Sequence, residues 1–176
     1  AHEGHAAVLR WGIRAAYFRR LLAMAERVIC PSQYVASYFT EFGIDMARLR
    51  VIPNGVSIDR PDSFAAAPFA GNSQRPLNLA FLGTVTVHKG VHVIIDALRI
   101  SGLGPVELAI LGEAPDHQYV QHLRRRTADI PGLKLRLYGG YEVVELPYLL
   151  QDVDCVIIPS QVPESFSITA REAFTQ

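Results

Sequence analysis

From Leu77 to the carboxyl end, short apolar runs alternate regularly with longer, helix-spaced segments, and this alternation constrains the fold more than any other feature of the chain. LNLAFL, VELAIL, LKLRLY and VDCVII read as strands, while VHVIIDALRI, DHQYVQHLRRRTA, EVVELPYLL and SITAREAF read as helices. Strands that are apolar on both faces must be covered on both. When each is followed by a helix, the chain returns over the sheet and the strands pair in parallel. The expected fold class is therefore α/β, an open, doubly wound parallel sheet. Right-handed crossovers would bring the carboxyl ends of the strands to one edge, where such sheets bind their ligands.

The loops expected at that edge are GTVTVHKG, GEAP, GGY and PSQVPES. Gly83, Gly112, Gly139 and Gly140 suit tight turns and a rim where backbone approaches a ligand closely. Upstream, residues 57–76 are rich in Pro, Ala, Gly and Ser without periodicity, and read as an interdomain linker. Residues 1–56 carry a basic, amphipathic helix around Val8 to Ala25, strand RVIC, helix SQYVASYFTEFG with Ser32 as N-cap, and strand RLRVIP closed by the turn PNG. Two strands and two helices are too few for a parallel sheet of their own, so this segment is expected to end a second α/β domain. Arg10, Arg14, Arg19 and Arg20 stand among Trp11, Tyr17 and Phe18 in the first helix. That pattern suits packing on the rest of such a domain or, as a second reading, peripheral contact with anionic lipid at the inner membrane face.

Seventeen basic and seventeen acidic residues balance, which leaves no electrostatic footprint for nucleic acid. With neither a long uncharged apolar run nor a signal-peptide pattern, a cytoplasmic location is expected. Cys30 and Cys155 flank β-branched apolar runs and read as small buried thiols rather than a disulfide. Asp152 and Asp154 form a literal DxD, but at the amino end of a strand, opposite the ligand loops, where nothing converges to complete a cation site. His88 and His92 are separated by Gly90 and lack a third ligand for zinc. The order Lys89 then Gly90, with no Ser or Thr following the lysine, excludes a P-loop.

ERVICPS, RLRVIPNGV, FLGTVTVHKG, VELAILGEAP, YGGYEVVELPYLLQDVDCVIIPS and PESFSITAREAF resemble, in that order, the carboxyl-terminal half of retaining glycosyltransferases of family four. The resemblance runs from Ala25 to the end. It implies the GT-B architecture, two doubly wound domains facing across a cleft, with residues 77–176 as the nucleotide-sugar donor-binding domain and 1–56 as the carboxyl-terminal remnant of the acceptor-side domain.

The resemblance also implies roles for particular residues. Lys89 would be the counter-charge to a departing diphosphate. Glu164 would bond donor-sugar hydroxyls and Glu172 the nucleotide ribose, since a carboxylate accepts through two oxygens. Amides near Ser165, Phe166, Ser167 and Ile168 would face phosphate. Gly83 and Thr84 would border the phosphates, and Gly140, Tyr141 and Glu142 would frame the base through backbone groups. Lys89 and Glu164 are the expected catalytic residues, and no metal or cofactor is implied. The sequence departs from the family at Thr84, where an arginine is usual, and at Ser167, commonly glycine beside the donor sugar.

The expected function is retaining transfer of a sugar from a nucleotide diphosphate sugar to a saccharide or lipid-linked acceptor. A nucleotide-sugar epimerase of the same architecture and a non-catalytic nucleotide-binding module are the alternatives. Because the second domain usually continues past the final helix, the sheet is expected to be truncated, the chain inactive on its own, and its exposed edges prone to self-association.

Overall fold

The computed structural model describes residues 2–56 and 75–175, so most of the expected linker lies outside the described residues. The chain divides into two compact units, Ala1–Gly55 and Val56–Gln176.

The first unit holds α1 (His2–Met24), β1 (Val28–Cys30), α2 (Gln33–Glu41) and β2 (Leu49–Val51). Helix α1 extends beyond the segment expected from Val8. Ser32 caps α2 as expected, its side chain accepting from the Val35 amide at 3.2 Å. Contrary to expectation, the two strands do form a parallel pair, Val28 opposite Leu49 and Cys30 opposite Val51. Helix α2 supplies the crossover, and a small core of Val28, Cys30, Ala36, Ile44 and Leu49 holds the pair, with Leu22 and Ala25 packed against it. Arg48 donates to the carbonyls of Leu22, Ala23 and Ala25 where α1 ends. Trp11, Ile13, Tyr17 and Met24 of α1 are exposed within this unit. Among the described residues no helix is long and apolar enough to cross a membrane.

The second unit is the expected α/β sheet. Its elements are β3 (Leu77–Leu82), α3 (Val91–Ser101), β4 (Val106–Leu111), α4 (His117–Ala128), β5 (Leu133–Gly139), α5 (Leu146–Leu150), β6 (Cys155–Val156) and α6 (Ile168–Phe174). All strand pairs are parallel, in the order β5–β4–β3–β6. The chain winds outward from β3 through β4 to β5, then returns to place β6 on the other side of β3. The direction of winding therefore reverses between β3 and β6, the place where open α/β sheets take ligands.

Period-two alternation divides the central strands between two cores. Leu79 and Phe81 of β3 join Val106, Leu108 and Ile110 of β4 under α3 and α4, which contribute Ile94, Ile95 and Leu123. Ala80, Leu82 and Leu111 face the other way, onto Leu146 and Leu150 of α5. Phe81, Leu108 and Ile110, all in the first of these cores, are fully buried, at about 2 kcal/mol for each such side chain. The outer strand β5 carries Lys134 and Arg136, both paired with Glu107 of β4, charges that blunt an open edge.

Two expectations fail at β6. The strand comprises only Cys155 and Val156, although the Ile157 amide still donates to the Ala80 carbonyl at 2.8 Å. Cys155 is exposed rather than buried, since among the described residues β6 has a neighbour only in β3; both cysteines are free. The DxD pair has a structural use. Asp154 receives two bonds from Arg75, at 2.5 and 2.9 Å, and one from the Asn78 amide at 2.8 Å, and Asn78 donates to the Asp152 carbonyl. Hydrogen bonding to Arg75 outweighs burial and holds the Asp154 carboxyl below its usual range.

Candidate functional site

The site is built where the loops after β3 and β6 meet. Thr86 opens a single 3-10 turn, Val87–Lys89, closed by Gly90 in the left-handed conformation at φ 78°. A Cβ at Gly90 would overlap the Pro159 carbonyl, so glycine is what lets the β6 loop lie against this turn. The Gln161 amide then donates to the His88 carbonyl at 2.9 Å, fastening the two loops together.

That fastening brings Lys89 to Glu164. The ammonium donates to the carboxylate at 2.8 Å, and Ser160 donates to the same oxygen. Both side chains are mostly buried, 29% and 18% exposed. Burial opposes ionisation of Glu164, but the bonds from Lys89 and Ser160 and the lysine's charge outweigh it, so the carboxyl lies below its ordinary range. Ser167 also favours the ionised form, although its Oγ completes no hydrogen bond of normal geometry. Lys89 is thus held by the acid rather than extended freely from a loop, because the chain folds back to bring Glu164, 75 positions further on, beside it.

Beyond this pair, the ends of β3, β4 and β5 border an open cavity of about 440 Å³, lined by Gly83, Thr84, Gly112, Glu113, Gly140, Tyr141, Glu142 and Glu145. Backbone bonds set its floor: the Gly83 amide donates to the Leu111 carbonyl at 2.8 Å and the Gly112 amide to that of Gly139 at 2.6 Å. Gly112 stands at φ 147°, and a Cβ there would overlap the Gly83 carbonyl, which makes this position a requirement of the fold. Tyr141 reaches from the cavity to α6, donating to Glu172 at 3.3 Å. Burial, then the charge of Glu172, push the phenol well above its usual range, so it remains a donor. Glu172 is almost wholly buried.

Lys89 and Glu164 therefore meet each other, Tyr141 joins Glu172 to the cavity, and Gly83, Thr84, Gly140, Tyr141 and Glu142 line it. Neither Lys89 nor Glu164 is a lining residue. Phe166 lies under the Arg171 guanidinium at 4.2 Å, and Ile168 is exposed at the first turn of α6, which is only seven residues long. His88 makes a long contact with Thr86 at 3.4 Å, and His92 bonds the Tyr119 hydroxyl at 2.8 Å. Among the described residues, no three His, Cys, Asp or Glu side chains are grouped to hold a metal ion.

Sequence reasoning missed Ser160, Glu113 and Glu145. Glu145 was detectable: Glu142 and Glu145, three apart, form a reciprocal capping box, with the Glu142 amide donating to Glu145 at 2.7 Å. Glu113 follows the β4 glycine directly and its Cγ lies beside Gly140.

Comparison with known proteins assigns the family. The model for glycosyl transferases group 1 matches residues 65–176, and that for glycosyltransferase family 4 matches residues 2–60. The chain belongs to the group 1 glycosyl transferases. Glycogen synthase of Mycobacterium tuberculosis is 30% identical over 156 residues, 87% of this chain and 36% of that protein. A lipopolysaccharide 1,2-N-acetylglucosaminetransferase of Salmonella typhimurium is 24% identical over 166 residues, 84% of this chain and 41% of the relative. Among solved structures, Anabaena HepE in complex with UDP-glucose superposes with a TM-score of 0.67 at 23% identity, over 86% of this chain and 43% of that one. A Rickettsia africae glycosyltransferase gives 0.73 at 21% identity, over 92% and 45%. The group 1 fold seen here is the parallel α/β sheet of these GT-B glycosyltransferases. The chain spans less than half the length of the curated relatives it matches.

Proposed function

We propose that this chain supplies the donor-binding half of a retaining transferase that moves a hexose from a nucleotide diphosphate sugar to an acceptor hydroxyl, without a metal. One observation carries the reading: the loops on either side of the sheet's switch point, where open α/β sheets take ligands, bring Lys89 and Glu164 together at 2.8 Å. A diphosphate carries more charge than a single carboxylate and competes for the ammonium. As the nucleotide leaves, Lys89 follows the charge developing on it, and Glu164, released from the lysine, accepts bonds from the sugar hydroxyls. Glu172, held by Tyr141, takes the ribose. Gly83 and Thr84 border the phosphates together with Ser165, Phe166, Ser167 and Ile168, and Gly140 and Glu142 frame the base.

The named relatives support a nucleotide-sugar donor. HepE was solved with UDP-glucose, and the Salmonella relative is named as an N-acetylglucosaminetransferase. The match of the family 4 model to residues 2–60 supports reading residues 1–56 as the end of the acceptor-side domain. On this reading the chain alone binds donor and transfers nothing. The test is turnover by a longer protein containing this chain, with the anomeric configuration of the product followed by NMR. Retention is expected; an inverted product would overturn the proposed chemistry.

A further inference from the structure

Ser167 breaks three local rules at once. It stands at φ 51° and ψ 72°, the one non-glycine residue with positive φ among the described residues. It occupies the N-cap of α6, where a serine hydroxyl ordinarily accepts from the helix amides, yet it makes no such bond. Its Oγ is also the one buried side-chain polar atom lacking a hydrogen-bond partner among the described residues. A residue kept in a sparsely populated conformation, its buried hydroxyl favouring ionised Glu164 yet completing no hydrogen bond of normal geometry, is unusual, and such outliers cluster at working sites.

The group three residues away explains it. Glu164 is mostly buried and depends on Lys89 and Ser160. A ligand that recruits Lys89 would strip the carboxylate of its counter-charge while leaving it desolvated, an unfavourable state unless another donor steps in. The Ser167 hydroxyl, unused at the cap and already favouring the ionised carboxylate, stands ready to complete that bond.

We propose that Ser167 is a positioning residue, whose hydroxyl takes over Glu164 when an anionic ligand draws Lys89 away, so that Glu164 stays charged and oriented toward the donor sugar. This rests on the donor-site reading above. The test is titration calorimetry of the chain with whichever of UDP-, GDP- or ADP-glucose it binds most tightly, using Ser167→Ala and Ser167→Gly. A 13C-carboxyl titration of Glu164 with and without that ligand completes it. Both variants should bind about tenfold more weakly, the scale of one bond to a charged group. Thermal stability should separate them, Gly rising through relief of the left-handed strain. In the ligand-bound state Glu164 should titrate higher in both variants than in the wild type, with a much smaller change in the free protein. Unaltered binding by Ser167→Ala, or a loss confined to Ser167→Gly, would overturn the inference and leave the donor site standing. Absence of binding by the wild-type chain would overturn the donor site and the inference together.

Discussion

Removing the Lys89 ammonium should expose how much the two loops depend on it. In Lys89→Ala the Glu164 carboxylate, 18% exposed, keeps Ser160 but loses a charge-assisted bond of 2.8 Å. A hydrogen bond to a charged group contributes about 1.5–3 kcal/mol, and an exposed ion pair under about 1 kcal/mol. With Lys89 29% exposed, the expected cost is between these, about 1–2 kcal/mol. For a chain of this length each kcal/mol lowers the melting temperature by about 2–4 °C. The same substitution in a Glu164→Gln background should cost almost nothing, since the charge it served is gone. The effect should also depend on pH with a definite sign. The Glu164 carboxyl is held below its ordinary range, so its contribution is complete above the unfolded-state value and fades as pH falls through the folded-state value. Melting curves of the four proteins at neutral pH and in steps below the carboxylate range provide the assay. An equal cost in both backgrounds, or one that does not shrink in acid, would refute the idea that the ion pair ties the β3 and β6 loops.

Other perturbations follow from the same geometry. Tyr141→Phe removes the donor facing Glu172 and should cost about 1 kcal/mol of stability by denaturant unfolding, with weaker nucleotide binding. Gly112→Ala forces a Cβ onto the Gly83 carbonyl and should cost more than about 3 kcal/mol, read as loss of the cooperative transition or of soluble expression. Restoring the usual cation with Thr84→Arg, at a position lining the cavity, should tighten binding of nucleoside diphosphates and increase its salt dependence by calorimetry.

The sheet was legible because its central strands, β3 and β4, are buried on both faces and read as largely apolar runs, with helix-period segments between the strands. Leu77–Leu82, Val106–Leu111 and the Ser32 cap all carried their signal locally. β6 was overread, because the apolar run through Ile158 contains no cue that only two residues would pair. The parallel pairing of β1 with β2 was missed because its small core depends on Leu22 and Ile44, outside both strands. At the site, residue types were legible but partners were not. That Lys89 would engage Glu164, and Tyr141 engage Glu172, depends on distances across a switch point set by tertiary packing. The strained backbone of Ser167 had no sequence signature, since serine at an N-cap ordinarily signals the opposite geometry.

The most direct test is calorimetric titration of the chain with UDP-, GDP- and ADP-glucose, repeated with Lys89→Ala and Glu172→Ala. The proposed site predicts measurable binding with one base preferred, and a loss of about 1–3 kcal/mol in each variant. Nucleotide-sugar binding that neither substitution changes would place the donor elsewhere on the molecule and contradict the account.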